Sequence, residues 1–594
     1  MDGATPHGNR ERMNFRLGSL EPALVEAEVH LQRERIVSRI WARDHTVWAD
    51  NDVEIADRLG WLDIHRRMAT RTAELTEWAQ SLMDEGFRQA VLIGMGGSSL
   101  APEMFGELCS RSDRGLKLFI LDTTDPEQIA ALEKQLDLAA TLFVVATKSG
   151  GTVETLSGYR YFRARLAEQE GSRSPGKHFV AITDPGSSLV DLAAEAEFRQ
   201  TFENDPNIGG RYSALSLFGL VPLALVGGDV GRLLAGVSPF AQAAERPAAD
   251  NDAARFGMLM GRLALAGRDK LTILRPPALA SLGGWIEQLI AESLGKSGRG
   301  VVPVLSRGDD VAHFSDDRFC VVVTPCTQDG SLDPAMTSLA DRCAEAGHPV
   351  AVMPFTGPEA LGGHLFFWEF ATAVAGHALD VHPFDQPDVE AAKVAARAFV
   401  AAYEQTGTLP EGQAVAASSQ ALDDFLALAS HGDYLAIQAY LPVNLGNWMV
   451  LDRLQQEIGR RLHIPVTVGF GPRFLHSTGQ LHKGGTANGL NLQLVRRVAP
   501  AADVSIPGPG DATDGMTFGT LQRAQALGDA EALRNGERRL LTLELGEDPV
   551  TALASLLSWS PKEHGNRLMG IVSRPAVRSG EKRQVGHVRG QLNT

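Results

Sequence analysis

The chain is predicted to be an α/β protein: two tandem doubly wound parallel-sheet units, each a three-layer αβα arrangement, followed by a helical, loop-rich C-terminal region. Three observations predict it. Short, continuous apolar runs ended by glycine or polar residues recur between helical stretches, as expected for strands buried on both faces of a parallel sheet. They come in two series. Beyond residue 401 no comparable run stands out, and Gly and Pro are frequent between 465 and 516.

In order along the chain, residues 1–40 read as a polar arm and a helix. The first series lies in a unit spanning 41–235, with strands at Gln89–Gly94, Lys117–Asp122, Thr141–Ala146 and His178–Thr183. The second unit, 236–400, has strands at Leu271–Leu274, Arg318–Val323 and His348–Met353, separated by helices such as 332–346. Residues 401–570 form the helical C-terminal region. The stretch 571–594 carries Arg574, Arg578, Lys582, Arg583 and Arg589 against Glu581 alone, and reads as a basic solvated tail.

Composition excludes several classes. With 594 residues, 22% charged and 44% hydrophobic, the chain is globular and long enough for several cores. A net charge of −16 argues against nucleic acid as a partner. The longest apolar stretch, Leu215–Val226, is too short to cross a membrane and contains Pro222, and the first residues show no apolar h-region, so neither export nor a membrane span is expected. Four cysteines (Cys109, Cys320, Cys326, Cys343) make no disulfide framework, so a cytoplasmic location is expected.

Two loops carry chemistry. Gly94-Met-Gly96-Gly97-Ser98-Ser99 follows the first strand, and Thr147-Lys148-Ser149-Gly150-Gly151-Thr152 follows the third. Each leads into a helical pattern, so free N–H groups and the positive end of a helix dipole face small hydroxyl side chains, a phosphate cradle. The rival reading is a dinucleotide oxidoreductase: Gly94 and Gly96 supply GxG, and Asp122 stands where a ribose carboxylate would. Ser99 occupies the third fingerprint position, and the second loop would go unexplained.

The segments VLIGMGGSSLAP, ATKSGGTVET, NIGGRYSALS, EQLIAESLGKSGRG and HPFDQPDVEAAK, in that order, resemble the phosphoglucose isomerase family, which is built on tandem sugar-isomerase (SIS) domains. RIWARDHTVW and GFGPRFLHSTGQLHKGG extend the resemblance, which is closest to the isomerase half of bacterial fusions with transaldolase. Only about ninety residues precede the first loop, against roughly 250 for a transaldolase barrel, so no transaldolase activity is expected.

The resemblance implies reversible isomerisation of glucose 6-phosphate to fructose 6-phosphate through a cis-enediolate, without cofactor or metal, by a homodimer. Its alternative is a non-catalytic SIS-type sugar-phosphate-binding regulator. Glu292 matches the family's base and shares a helix face with Leu289 and Trp285, whose apolar bulk favours a protonated carboxyl; the bland alternative is a surface ion pair with Lys296. Arg211, after Gly209-Gly210, matches the enediolate-stabilising arginine. Gln386 matches a phosphate contact and Lys393, two turns on, a ring-opening residue. Gly97, Ser98, Lys148, Ser149, Gly150, Thr152 and Gly210 map onto phosphate and substrate contacts, while Glu154 orients its loop. The family's ring-opening histidine has one counterpart at the right distance, His313, without the expected helix after it; His364, His476 and His482 compete. His476 and His482 lack Cys or carboxylate neighbours at ligand spacing, so no metal site is expected.

Overall fold

The structure, a computed structural model, describes residues 12–557 apart from 112, 171–174, 309–310, 328–329 and 509–512. The basic tail predicted at 571–594 lies outside the described residues.

A short strand β1 (Asn14–Arg16) precedes a first five-stranded sheet made of β2 (Gln89–Gly94), β3 (Lys117–Leu121), β4 (Thr141–Ala146), β5 (Phe179–Thr183) and β6 (Gln200–Glu203). All are parallel, in the order β3-β2-β4-β5-β6. The apolar runs mark β2, β4 and β5 correctly: Ala90–Ile93, Leu142–Ala146 and Phe179–Ile182 are buried. The second sheet holds β7 (Lys270–Leu274), β8 (Val302–Ser306), β9 (Arg318–Pro325) and β10 (Val350–Phe355) in parallel, with β1 closing one edge antiparallel. β8 escaped the sequence reading because its five residues, Val-Pro-Val-Leu-Ser, lie between glycine-rich and polar segments.

The first two units share one apolar core, which joins Leu92 on β2 and Val144 on β4 to Leu271 and Ile273 on β7 through Trp61, Trp285 and Phe366. The boundary expected at 235/236 falls inside the helix Val230–Ala244, whose Leu233 and Val237 pack on the helix that carries Gly362; a Cβ at Gly362 would stand 2.2 Å from the Leu233 carbonyl oxygen.

The region 401–570 differs from the helical expectation. It contains a third parallel sheet, ordered β11-β17-β14-β12-β13 and formed by β11 (Val415–Ala416), β12 (Tyr434–Tyr440), β13 (Val466–Phe470), β14 (Gly489–Val495) and β17 (Arg539–Glu544), with a two-stranded ribbon β15 (Ser505–Pro507) and β16 (Thr513–Thr517) beside it. The reason is the polar content of the strands. Gln438, Asn491, Gln493 and Thr542 are buried there and interrupt the apolar runs. They are held by hydrogen bonds: Gln438 Nε2 donates to Asn491 Oδ1 (3.0 Å), Thr542 Oγ1 to Gln493 Oε1 (3.0 Å), and Gln493 Nε2 to the Ala526 carbonyl (3.0 Å). Four parallel strands in each of the three sheets, numbered within the unit, share the order 2-1-3-4: β3-β2-β4-β5, β8-β7-β9-β10 and β13-β12-β14-β17. The C-terminal region therefore repeats the architecture of the first two.

Candidate active site

In an open parallel sheet, ligands bind beyond the carboxyl ends of the strands, where neighbouring strands lead off in opposite directions. In the first sheet that point lies between β2 and β4. The loop Met95–Ser99 leads from β2 to helix α1 (Leu100–Leu108), and the loop Thr147–Thr152 leads from β4 to helix α2 (Val153–Glu170). Gly96 has φ +56°, and a Cβ at Gly97 would lie 2.0 Å from the Gly210 carbonyl oxygen, so only glycine lets this loop press onto Gly210 and Arg211. Ser98 is buried, Ser149 is exposed, and Thr147 and Thr152 join hydroxyls at 2.8 Å. Lys148 turns aside: its ammonium binds Asp184 and the Pro206 carbonyl (2.9 Å).

Helix α3 (Ala280–Leu294) brings Glu292 to the same place. Its oxygens take hydrogen bonds from Arg211 Nη1 (3.2 Å) and Gln288 Nε2 (2.9 Å), so polar groups, not the expected Leu289 and Trp285, are its direct partners. The ion pair with Lys296 is not formed. Lys296 is buried and donates instead to the backbone (2.6 Å) and carboxylate (2.7 Å) oxygens of Asp385. Burial, helped by nearby Arg211, pulls its pKa down to about 8, with Asp385 and Glu292 opposing.

Arg211 is almost fully buried and spends every N–H. Nε donates to Ser293 (2.7 Å), Nη1 to Gln386 Oε1 (2.7 Å) and Glu292, and Nη2 to the carbonyls of Pro383 (2.7 Å) and Asp385 (2.9 Å). Gln386 stands at the start of helix α4 (Pro387–Thr406), and Lys393 lies two turns along it, near enough for its charge to act on Glu154.

Of the four histidines that compete for the ring-opening role, the one at the family's distance lies away from the loops. His313 sits in a 3-10 turn beside His463, with ring centroids 5.2 Å apart, and lines a separate cavity that includes neither Glu292, Arg211 nor either loop. His364 is packed between Phe240 and Phe355, and burial lowers its pKa to about 4; His482 is buried against Gln438, with a pKa lowered by burial to about 3. His476, from the third unit, is the one brought to the loops. Its Nε2 lies 2.9 Å from Glu154 Oε1, and its carbonyl oxygen accepts from Gln288 Nε2 (2.9 Å). Gln525 Nε2 also donates to Glu154 (2.7 Å), and Thr124 Oγ1 donates to Gln525 Oε1 (2.7 Å). Burial works to raise the Glu154 carboxyl, but the charge and hydrogen bond of His476, with lesser help from Lys393, outweigh it and hold the pKa low.

The sequence reading left out Gln288, Ser293 and Gln525. Gln288 had a signal, since i−4 from Glu292 shares its helix face; Gln525 had none. Asp122, the rival ribose contact, is buried and ion-paired to Arg473 at 3.2 Å. Among the described residues no group of three or more His, Cys, Asp or Glu is placed to hold a metal ion, and no helix is long and apolar enough to cross a membrane.

Fold and site together define a tandem parallel-sheet protein with a carboxylate, an arginine and a Glu–His pair gathered over two glycine- and hydroxyl-rich loops. The family model described as Phosphoglucose isomerase matches residues 34–298. A glucose-6-phosphate isomerase of Rubrobacter xylanophilus is 30% identical over 383 residues, covering 57% of this chain and 88% of the relative. One of Thermus thermophilus is 29% identical over 387 residues, covering 58% of this chain and 90% of the relative. The solved structure of a hypothetical protein, also from Thermus thermophilus, superposes with TM-score 0.58 at 27% identity, covering 66% of this chain and 100% of that one. The chain belongs to the phosphoglucose isomerase family.

Proposed function

We propose that this protein interconverts glucose 6-phosphate and fructose 6-phosphate, with Glu292 as the base. The observation that carries the assignment of roles is the convergence of Glu292, Arg211 and the Glu154–His476 pair beside both phosphate loops. A sugar-phosphate-binding regulator needs the loops but has no use for two acid–base centres.

The substrate phosphate rests on the N–H groups and hydroxyls around Ser98, Ser149 and Thr152. With Nε2–H donated to Glu154, His476 has Nδ1 free as a base for the anomeric hydroxyl, and the carboxylate stabilises the imidazolium that results. Lys393 supplies the proton to the ring oxygen. Glu292 then removes the C2 proton and delivers it to C1, while the hydroxyl proton passes from O2 to O1 across the enediolate. Arg211 acts first through its fixed charge. Once Glu292 is protonated its hold on Nη1 weakens, which frees that N–H for the enediolate oxygen just as charge develops there. Lys148 contributes positive potential from its pair with Asp184 without touching the phosphate.

A coupled assay with both sugar phosphates tests the activity; absence of turnover alongside sugar-phosphate binding would favour the regulator. The resemblance leads us to expect a homodimer, which sedimentation checks. The four free thiols fit a cytoplasmic location.

A further inference from the structure

The cavity that holds His313 is about 210 Å³ in volume. It lies between the second unit's edge strand β8 and the third unit's edge strand β13, and is walled by Arg275, Glu287, Arg307, Trp448 and Asp452. Glu287 stands on α3, one residue before Gln288, so this helix serves two sites.

Its polar accounting is unusual. Arg275, His313 and Arg318 line the cavity, and Arg275 Nε, His313 Nδ1 and Arg318 Nε are buried with no hydrogen-bond partner among the described residues. Buried polar atoms are nearly always satisfied, so three together point to a polar ligand or water. The charges are unbalanced as well. Arg307 is paired with Asp452 at 3.2 Å, and Arg318 lies 4.6 Å over the Phe314 ring with Asp317 at 3.8 Å. Glu287 is the main countercharge of Arg275 among the described residues. Burial lowers the pKa of Arg275, with Glu287 opposing, and raises that of Glu287 to about 7, with Arg275 and Arg473 opposing. The guanidinium is also given room: a Cβ at Gly283, four residues before Glu287, would stand 2.3 Å from Arg275 Nε.

We propose that this cavity binds the oxyanion of a small metabolite, a phosphate or carboxylate group, with Arg275 as the principal contact, at a site separate from the isomerase centre. An anion supplies an acceptor to Arg275, whose guanidinium, unlike those of Arg307 and Arg318, has no carboxylate in an ion pair with it among the described residues. The Trp448 indole at the rim offers an apolar face to the rest of the ligand.

Sulfate, doubly charged throughout the range used, is the probe, titrated calorimetrically into protein saturated with the equilibrated sugar phosphates. The wild type should bind one equivalent. Arg275→Gln should weaken binding at least tenfold while kcat/KM stays within twofold. Affinity should fall several-fold between pH 6 and 8 as Glu287 ionises among Arg275, Arg473, Arg307, Asp452 and His313, and Glu287→Gln should reduce that dependence. Should Arg275→Gln fail to fold, the Glu287→Gln comparison still decides. No saturable binding, unchanged affinity in Arg275→Gln, or an unchanged pH dependence in Glu287→Gln would overturn the proposal. Titrations with inorganic phosphate and malonate then tell the two headgroups apart, and binding of neither contradicts it. The variant comparison holds whatever reaction the Glu292 site performs, because neither residue touches the loops.

Discussion

Two residues separate this site from a generic acid–base cleft, His476 and Lys296. His476 is held by Glu154, which Gln525 holds in turn. His476→Gln should lower kcat by roughly 10²–10⁴, the usual range for a lost acid–base group. Glu154→Gln should act in the same direction, and His313→Ala should leave kcat within twofold; steady-state kinetics on all three checks this. Lys296 fixes the Asp385 turn on which Arg211 also rests. Its pKa of about 8 sits below its unfolded value of 10.5. Above pH 8 the ammonium is lost in the folded state, so activity should decline there as the turn loosens. Between pH 8 and 10.5 the unfolded chain binds more protons than the folded one, so this group alone makes stability rise with pH. The pH–rate profile of Lys296→Met should lack that alkaline limb.

At the scale of elements, local pattern and tertiary context part company. β2, β4 and β5 were legible because both faces are apolar. β12, β14 and β17 were not, because Gln438, Asn491, Gln493 and Thr542 pair sideways within the sheet and erase the apolar signal that a buried strand ordinarily carries. Gln438→Leu should cost about 1–3 kcal/mol, since it strands Asn491 and removes the partner of His482, whereas a solvent-facing glutamine would cost little. Thermal unfolding measures it. The loop glycines were legible as close-approach positions, but the sequence did not reveal that Gly97 is pressed against Gly210. Gly97→Ala should raise KM and lower the melting temperature together, as the added Cβ forces the two backbones apart.

For the whole molecule, the third unit completes the site and also clamps the first. Arg473 binds Glu103 through both oxygens and reaches Asp122, and Arg496 binds Asp125 at 2.9 Å. Both arginines lie just past β13 and β14, and the acids near the ends of the first sheet. Arg473→Ala should cost about 3 kcal/mol, the low end for breaking a buried pair, since it leaves the buried Asp122 carboxylate unpaired while Glu103 is partly open to solvent. Glu292, Arg211 and Gln386 were legible from short ordered motifs. His476 was legible only as one of three alternatives to His313, because its carbonyl meets Gln288 across 188 residues of sequence and no local pattern records which loop folds back. The net charge of −16 does not bar an anionic substrate from the proposed site, because a pocket needs only a few local cations and helix N-termini. The central claim is that Glu292 carries a proton between C2 and C1. Turnover of fructose 6-phosphate in deuterated water, followed by NMR, tests it most directly: the account predicts deuterium at C2 of the glucose 6-phosphate formed and loss of both turnover and exchange in Glu292→Gln, whereas turnover at an unchanged rate in that variant would contradict it.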